Sequence, residues 1–390
     1  DELLFILDED NGKIYNMDID DYIEIFKAQS NSDGKTLANN TYKTMATNLR
    51  RILKVFKISN IDDLGEAIGK DNDYLSNINR LINHIKDEYS LNTTIQTILA
   101  IQKYLELYSM GLEPDDLDEG LKINLIAKYL KQLSKYLKIC CDRNQQIINE
   151  NKLTAKERDN WIDYGSMVQQ FTNYINTTEE PNTEGDKFYF HRNNLILGFF
   201  VLIPPTRITN YEKMYFKSDV LSYQQKLPTD RNFILKEDYE GDANYYLVFN
   251  QYKTSKHLGS VYKKIGNSST ENLLKSLITK YLDSRENIAP YSCELFLINI
   301  YCSPITQPKY TDILKQTSKK IFNKELSCDL LRKIFITNYM KIAHSISENT
   351  EVAKFMGQTY NATMMEKYRK IDTPEEGKSQ ISSSIIIGFD

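Results

Sequence analysis

Two neighbouring stretches decide how this chain is read. They are Asp329-Leu-Leu-Arg-Lys-Ile-Phe-Ile-Thr337 and Lys354-Phe-Met-Gly-Gln-Thr-Tyr-Asn-Ala-Thr-Met-Met-Glu-Lys-Tyr-Arg-Lys370. The first predicts a helix over Asp329–Met340 with Arg332 near its start. The second predicts a helix over Thr350–Met356, a Met-Gly-Gln turn, and a helical continuation reaching about Tyr368. Upstream, an apolar helix over Leu195–Ile203 runs into Pro204-Pro205-Thr206-Arg207, where the two prolines fix the backbone that presents Arg207. Between these parts, strand-like runs Tyr245–Asn250 and Leu258–Lys263 flank a polar turn holding Lys253, Lys256 and His257, which reads as a β-hairpin. Further helices fit Glu271–Asp283 and Tyr310–Phe322.

These residue types suit one chemistry. Breaking a phosphodiester without a metal needs a nucleophile, cations on the non-bridging oxygens and a proton for the leaving 5′ oxygen. A tyrosine such as Tyr368 can attack and store the bond energy as a phosphotyrosyl ester. Arginine forks such as Arg207 and Arg332 hold two phosphate oxygens at once and keep their charge. A lysine held near other cations suits the acid role, and Lys253 and Lys256 compete for it within one turn. Tyr360, in the Met-Gly-Gln-Thr-Tyr turn, is the rival nucleophile among 27 tyrosines.

In this order the motifs resemble the catalytic domain of the tyrosine recombinase/integrase family, over about residues 186–371. Residues 36–112 resemble that family's helical core-binding domain through Asn48-Leu-Arg-Arg-Ile-Leu53 and Ser90-Leu-Asn-Thr93. Leu202–Arg207 and a helix bearing Trp161 are similar to recombinases of virophages and large eukaryotic DNA viruses. The resemblance implies a site-specific recombinase acting through a 3′-phosphotyrosyl intermediate without metal, ATP or other cofactor. Tyr368 would attack, Arg207 and Arg332 would clamp the phosphate, and Lys253 would be the acid. The partner would be double-stranded DNA, gripped between two domains and synapsed by a homotetramer. Two positions depart from the family pattern. Asp329 stands where a histidine is frequent, and Gln358 stands at the later His or Trp position, one residue farther than usual from the tyrosine. Gln358 can still donate to phosphate, whereas an ionised Asp329 cannot. A type IB topoisomerase-like activity and a catalytically inactive DNA-binding protein are the alternatives.

The implied organisation is multidomain. An acidic segment covers 1–35, an all-α core-binding domain 36–112, and a helical connector and linker 113–185. An α+β catalytic domain with a small antiparallel sheet covers 186–371, and a tail 372–390. Within the second of these, apolar positions Met45, Leu49, Ile52, Leu53 and Phe56 repeat at three and four residues. They leave Arg50, Arg51, Lys54 and Lys57 on a face open to DNA phosphates. His257 and Lys333 are further candidate DNA contacts. Helices also fit Tyr74–Tyr89, a segment starting at Ser90, and Leu121–Ile148, while Thr154-Ala-Lys-Glu157 reads as a capping box. Asn176–Asp186 reads as an interdomain linker.

Bulk properties agree with a foldable chain of 390 residues, 41% hydrophobic and 26% charged. The net charge of −4 hides an asymmetry, since residues 186–371 hold 27 Lys and Arg against 18 Asp and Glu, while the remainder is acidic. A basic C-terminal half is where phosphate contact is expected. No run of about 18 apolar residues is present, so no membrane span is expected. The sequence opens on Asp1-Glu2 without a basic, apolar leader or an initiating Met, which predicts an intracellular protein and a fragment or processed product. Five cysteines without CxxC pairs and four histidines predict reduced structural thiols and no zinc site.

Overall fold

Serine and threonine hydroxyls open helices along the whole chain, each accepting from the amide three residues on, as Ser90, Thr183, Ser327 and Ser345 do. Each such cap satisfies a donor that the first helical turn leaves orphaned, worth about 1 kcal/mol. The computed structural model describes residues 19–32, 39–58, 61, 63–64, 82–87, 89–218, 227–239, 242–289, 293–358, 368–371 and 373–374. The chain divides into two units, Asp1–Asn149 and Glu150–Asp390.

Helices α1 (Ile19–Ser32), α2 (Asn39–Phe56), α3 (Leu91–Met110) and α4 (Leu117–Asn149) build the first unit. Part of the acidic segment over 1–35 is therefore a helix. Ile19, Tyr22, Ile23 and Phe26 repeat at three and four residues and join the core formed with Tyr42, Leu49 and Ile52 of α2. The Tyr104 hydroxyl, buried on α3, donates to the Ile61 carbonyl at 2.7 Å. Helix α4 starts four residues before the expected Leu121, because the Asp116 carboxylate accepts from the amides of Asp118 and Glu119, each at 3.0 Å. It buries Ile126, Tyr129, Leu133 and Cys140. On the opposite side Lys128, Lys131, Lys135 and Lys138 are exposed. Of the helix expected over Tyr74–Tyr89, residues 82–87 are helical and most of the rest lies outside the described residues.

The second unit begins earlier than the polar stretch Asn176–Asp186 suggests. Thr154 does form a capping box with Glu157, but the helix it opens, α5 (Ala155–Asp159), ends before Trp161. Trp161, Ile162 and, on α6 (Tyr164–Thr177), Met167 and Phe171 pack into the same core as α7 (Glu184–Val201). Residues 178–183 are thus a short connection between two helices of one unit rather than a divide between domains. Helix α7 is apolar around its whole circumference from Leu195 onward, and a helix of that kind must be enclosed.

Around α7 lie a four-stranded sheet and helices α9 (Ser269–Glu286), α10 (Gln307–Phe322), α11 (Cys328–Tyr339) and α12 (Ile346–Phe355). Strands β1 (Met214–Ser218), β2 (Asn232–Tyr239), β3 (Asp242–Phe249) and β4 (Val261–Ile265) lie in that order. β1 runs parallel to β2 and the other pairs are antiparallel, so the sheet is mixed rather than purely antiparallel. The expected hairpin is β3–β4, with the four-residue helix α8 (Ser255–Leu258) in its turn. Helix α12 ends at Phe355 and Gly357 follows at φ +69°, while the helical continuation expected toward Tyr368 lies mostly outside the described residues. Cys293 and Cys302 form a disulfide across a Cα separation of 6.2 Å. The expectation of five reduced thiols fails at this pair, whose partners are joined by a tight loop that no sequence motif marks. Among the described residues no helix is long and apolar enough to cross a membrane.

Candidate functional site

Arg207 leaves the Pro-Pro segment in an extended conformation (φ −83°, ψ 147°) and is half-buried. Its Nη1 donates to the Gly357 carbonyl at 2.9 Å. Arg332, in the second turn of α11, is only 3% exposed. Its Nη1 donates to the carbonyls of Pro205 and Met356, each at 3.2 Å. Nη2 of the same guanidinium is buried and has no hydrogen-bond partner among the described residues. A buried donor left unmade costs about 1–3 kcal/mol, more when charged, unless something supplies the acceptor.

The two guanidiniums feel each other. Burial holds Arg207 below the ordinary arginine range and the nearby Arg332 charge lowers it further, while Tyr368 and Cys328 act the opposite way. No carboxylate of the described residues figures among these influences, so among the described residues a pair of like charges sits partly out of water without an anion. Tyr368 completes the group. It is half-buried, packs against the core, and its ring centroid lies 5.6 Å from Arg332 Cζ. The chain just beyond it is tied down by Lys370, whose amide donates to the Thr337 hydroxyl of α11 at 2.9 Å.

Gly357 gathers these parts. Its carbonyl accepts from Arg207 and also, at 3.0 Å, from the Thr254 hydroxyl in the β3–β4 turn. A Cβ here would approach Arg207 Nη1 and the Tyr252 ring to 3.3 Å, and its φ of +69° is one that side-chain-bearing residues rarely adopt. Next to it Gln358 is 3% exposed, and neither its amide nitrogen nor its amide oxygen has a partner among the described residues. Lys253 and Lys256 are both exposed in the same turn, as is His257. Tyr360 lies outside the described residues.

Other candidates are not brought into this group. Asp329 forms an ion pair with Lys333 at 2.7 Å and has a largely exposed side chain. Lys333 also pairs with Glu157 at 2.5 Å. Burial opposes the Lys333 charge, but the two carboxylates outweigh it and raise the lysine above its ordinary value. Lys333 is therefore engaged within the fold. In the first unit Arg50 pairs with Asp20 at 2.8 Å, and Arg51 donates to Asn48 and lies over the Tyr89 ring. Lys54 and Lys57 are exposed. Sequence reasoning passes over Thr254, Gly357 and the α4 lysines. Only the last carry a signal, the absence of any acid between Gly120 and Cys141.

No family model and no curated protein sequence matches the chain. Among solved structures, the XerH site-specific recombinase bound to its difH substrate in a pre-cleavage complex is similar, with a TM-score of 0.50 and 14% identity over 91% of this chain and 82% of that one. The XerA recombinase aligns over 91% of this chain and 94% of its own at a TM-score of 0.32 and 10% identity, too distant to add to the comparison. Likeness at such identity speaks to architecture. The helical first unit, the mixed four-stranded sheet and the helices around it give this chain a tyrosine-recombinase-like fold.

Proposed function

We propose that the chain is a site-specific DNA recombinase that cuts and rejoins duplex DNA through a phosphotyrosyl ester on Tyr368. The observation that carries this reading is the buried Arg332 guanidinium, with Nη2 unpartnered among the described residues, beside Arg207 and against the Tyr368 ring. A scissile phosphate is the anion that such a pair lacks. Its non-bridging oxygens accept from Arg207 and Arg332, and the buried Gln358 amide is available as a further donor. Tyr368 Oη forms a bond to phosphorus as the P–O5′ bond breaks. The phenolic proton leaves to water, and O5′ takes a proton from Lys253, which regains one from solvent. Exchange of one phosphate ester for another conserves bond energy, so rejoining is the same step run backwards with a different 5′ hydroxyl.

The first unit supplies DNA grip in this proposal. Lys54 and Lys57 of the expected face are exposed, and Lys128, Lys131, Lys135 and Lys138 form a second basic row. The XerH comparison concerns a DNA-bound recombinase, in keeping with this partner. A homotetramer on two synapsed sites follows from the same reading. The test is covalent capture. Wild-type protein is incubated with duplexes of random sequence carrying a nick that lets the short cleaved fragment diffuse away, and protein–DNA adducts are isolated under denaturing conditions. A tyrosine-linked 3′-phosphate mapping to Tyr368 is expected. DNA retention without any adduct means a DNA-binding protein, and plasmid relaxation without two-site exchange means a topoisomerase.

A further inference from the structure

We propose that Thr254 is a positioning residue that docks the Lys253 turn onto the Met356-Gly357-Gln358 turn, so that proton donor and phosphate clamp are assembled around one carbonyl. The inference rests on the recombinase reading above. Thr254 occupies the N-cap position of α8, where a threonine hydroxyl ordinarily satisfies an amide of the first turn. Thr154, Thr183, Ser268 and Ser345 do this in their own helices. Thr254 makes no such cap, and its hydroxyl donates instead to the Gly357 carbonyl at 3.0 Å, across a sequence separation of 103. That carbonyl is the one Arg207 Nη1 reaches at 2.9 Å.

The rest of the turn is fastened elsewhere. The amides of Asn250 and Gln251 donate to the Asn232 side chain at 2.8 and 2.7 Å, and the Tyr252 hydroxyl donates to the Gly259 carbonyl at 2.6 Å. These bonds tie the base of the turn to the sheet and to itself. Thr254 adds a hydrogen bond on the side of the arginines. Lys253, its immediate neighbour, is exposed and has neither an ion pair nor a hydrogen bond among the described residues, so nothing in its own contacts holds it toward the phosphate. Its placement depends on the backbone that Thr254 pins. A donor displaced by about 1 Å can lose roughly a hundredfold in rate, which is the scale of effect expected from undocking.

The experiment separates action through Lys253 from a general loss of structure. Sequences captured by the wild-type protein are resynthesised with the bridging 5′ atom at the cleaved phosphate as oxygen or as sulfur. A thiolate leaves without a proton, so the sulfur substrate does not need the acid. Thr254→Val should slow single-turnover cleavage of the oxygen substrate by about ten- to hundredfold. On the sulfur substrate it should return to within a few-fold of wild type, as Lys253→Ala does. Thr254→Ser, which keeps the hydroxyl, should behave as wild type on both, and Lys253→Ala/Thr254→Val should be no slower than Lys253→Ala. An equal defect of Thr254→Val on both substrates, or no defect on either, overturns the inference. If Lys253→Ala is rescued by sulfur and Thr254→Val is not, only this inference fails. Absence of any wild-type adduct overturns the recombinase reading as well.

Discussion

Arg332 Cζ lies 5.6 Å from the centroid of the Tyr368 ring, so a guanidinium with one nitrogen unpartnered among the described residues faces the proposed nucleophile. If Tyr368 is the nucleophile, removing its hydroxyl should end chemistry without ending binding. Tyr368→Phe is expected to yield no covalent adduct while retaining wild-type affinity for captured DNA in a filter-binding titration. Adduct formation by Tyr368→Phe, abolished instead in Tyr360→Phe, would move the nucleophile to Tyr360.

The two arginines should respond differently to lysine. Among the described residues, half-buried Arg207 makes one bond to the Gly357 carbonyl, whereas buried Arg332 makes two to the carbonyls of Pro205 and Met356. Lysine keeps the charge but not the planar fork. Arg207→Lys should lower the cleavage rate by about 10²–10³ with little change in melting temperature. Arg332→Lys should lower both, because a buried lysine cannot reproduce two fixed carbonyl bonds. Rapid-quench cleavage alongside thermal melting checks the contrast, and near-normal cleavage by Arg207→Lys would make it a structural residue.

Gly357→Ala tests the shared carbonyl. The left-handed backbone costs an alanine about 1–2 kcal/mol, and its Cβ would press on Arg207 Nη1 and the Tyr252 ring at 3.3 Å. Since the strain falls on the residue that gathers Arg207 and Thr254, cleavage should fall by more than the stability loss accounts for. Chemical denaturation and single-turnover rates on the same variant measure the two effects.

How much of this is legible in sequence depends on the range of the interaction. Helix α7 shows itself because Leu195–Val201 is apolar without interruption, and the β3–β4 turn because polar residues separate two apolar runs. Arg332 and Tyr368 are singled out only through the resemblance of their order to the tyrosine recombinase pattern. Strands β1 and β2 leave no such mark. The first is five residues long, and its pairing is completed by Glu294 and Phe296, far along the chain. Helix α1 is hidden because Asp20 and Asp21 interrupt its apolar positions and look like a turn until α2 supplies the opposite face. The meeting of Arg207 and Thr254 at the Gly357 carbonyl spans separations of 150 and 103 residues, and no local pattern records it.

The α4 lysines give a prediction about salt. Lys128, Lys131, Lys135 and Lys138 occupy one exposed side of the helix, opposite buried Ile126, Tyr129, Leu133 and Cys140. Each phosphate that is no longer neutralised by a lysine should reduce the slope of log affinity against log salt by about 0.9. Replacing the four with glutamine should therefore flatten that slope and weaken binding at low salt across all sequences, leaving the cleavage rate of bound DNA unchanged. An unaltered slope would leave these lysines as a solvated face.

Lys333 offers the opposite case, a basic residue that its sequence setting offers as a DNA ligand and that the fold engages with carboxylates. It pairs with Glu157 and Asp329, and Glu157 in turn caps α5, so the lysine ties the start of that helix to α11. Lys333→Met should leave DNA affinity and its salt slope unchanged but lower the melting temperature. The pH dependence follows from the direction of each shift. Glu157 is held below its ordinary 4.5, with its own burial opposing and the Lys333 and Thr154 bonds prevailing. Its contribution is present above that value and is lost as pH falls through the depressed one. Lys333 is raised above its ordinary 10.5, so its contribution is present below that value and is lost as pH rises through the raised one. The stability difference between wild type and Lys333→Met should therefore be level from about pH 5 to pH 10 and shrink outside that window. Urea titrations at pH 3, 7, 9 and 11 test this. A weakened DNA affinity with unchanged stability at pH 7 would return Lys333 to the DNA-binding surface.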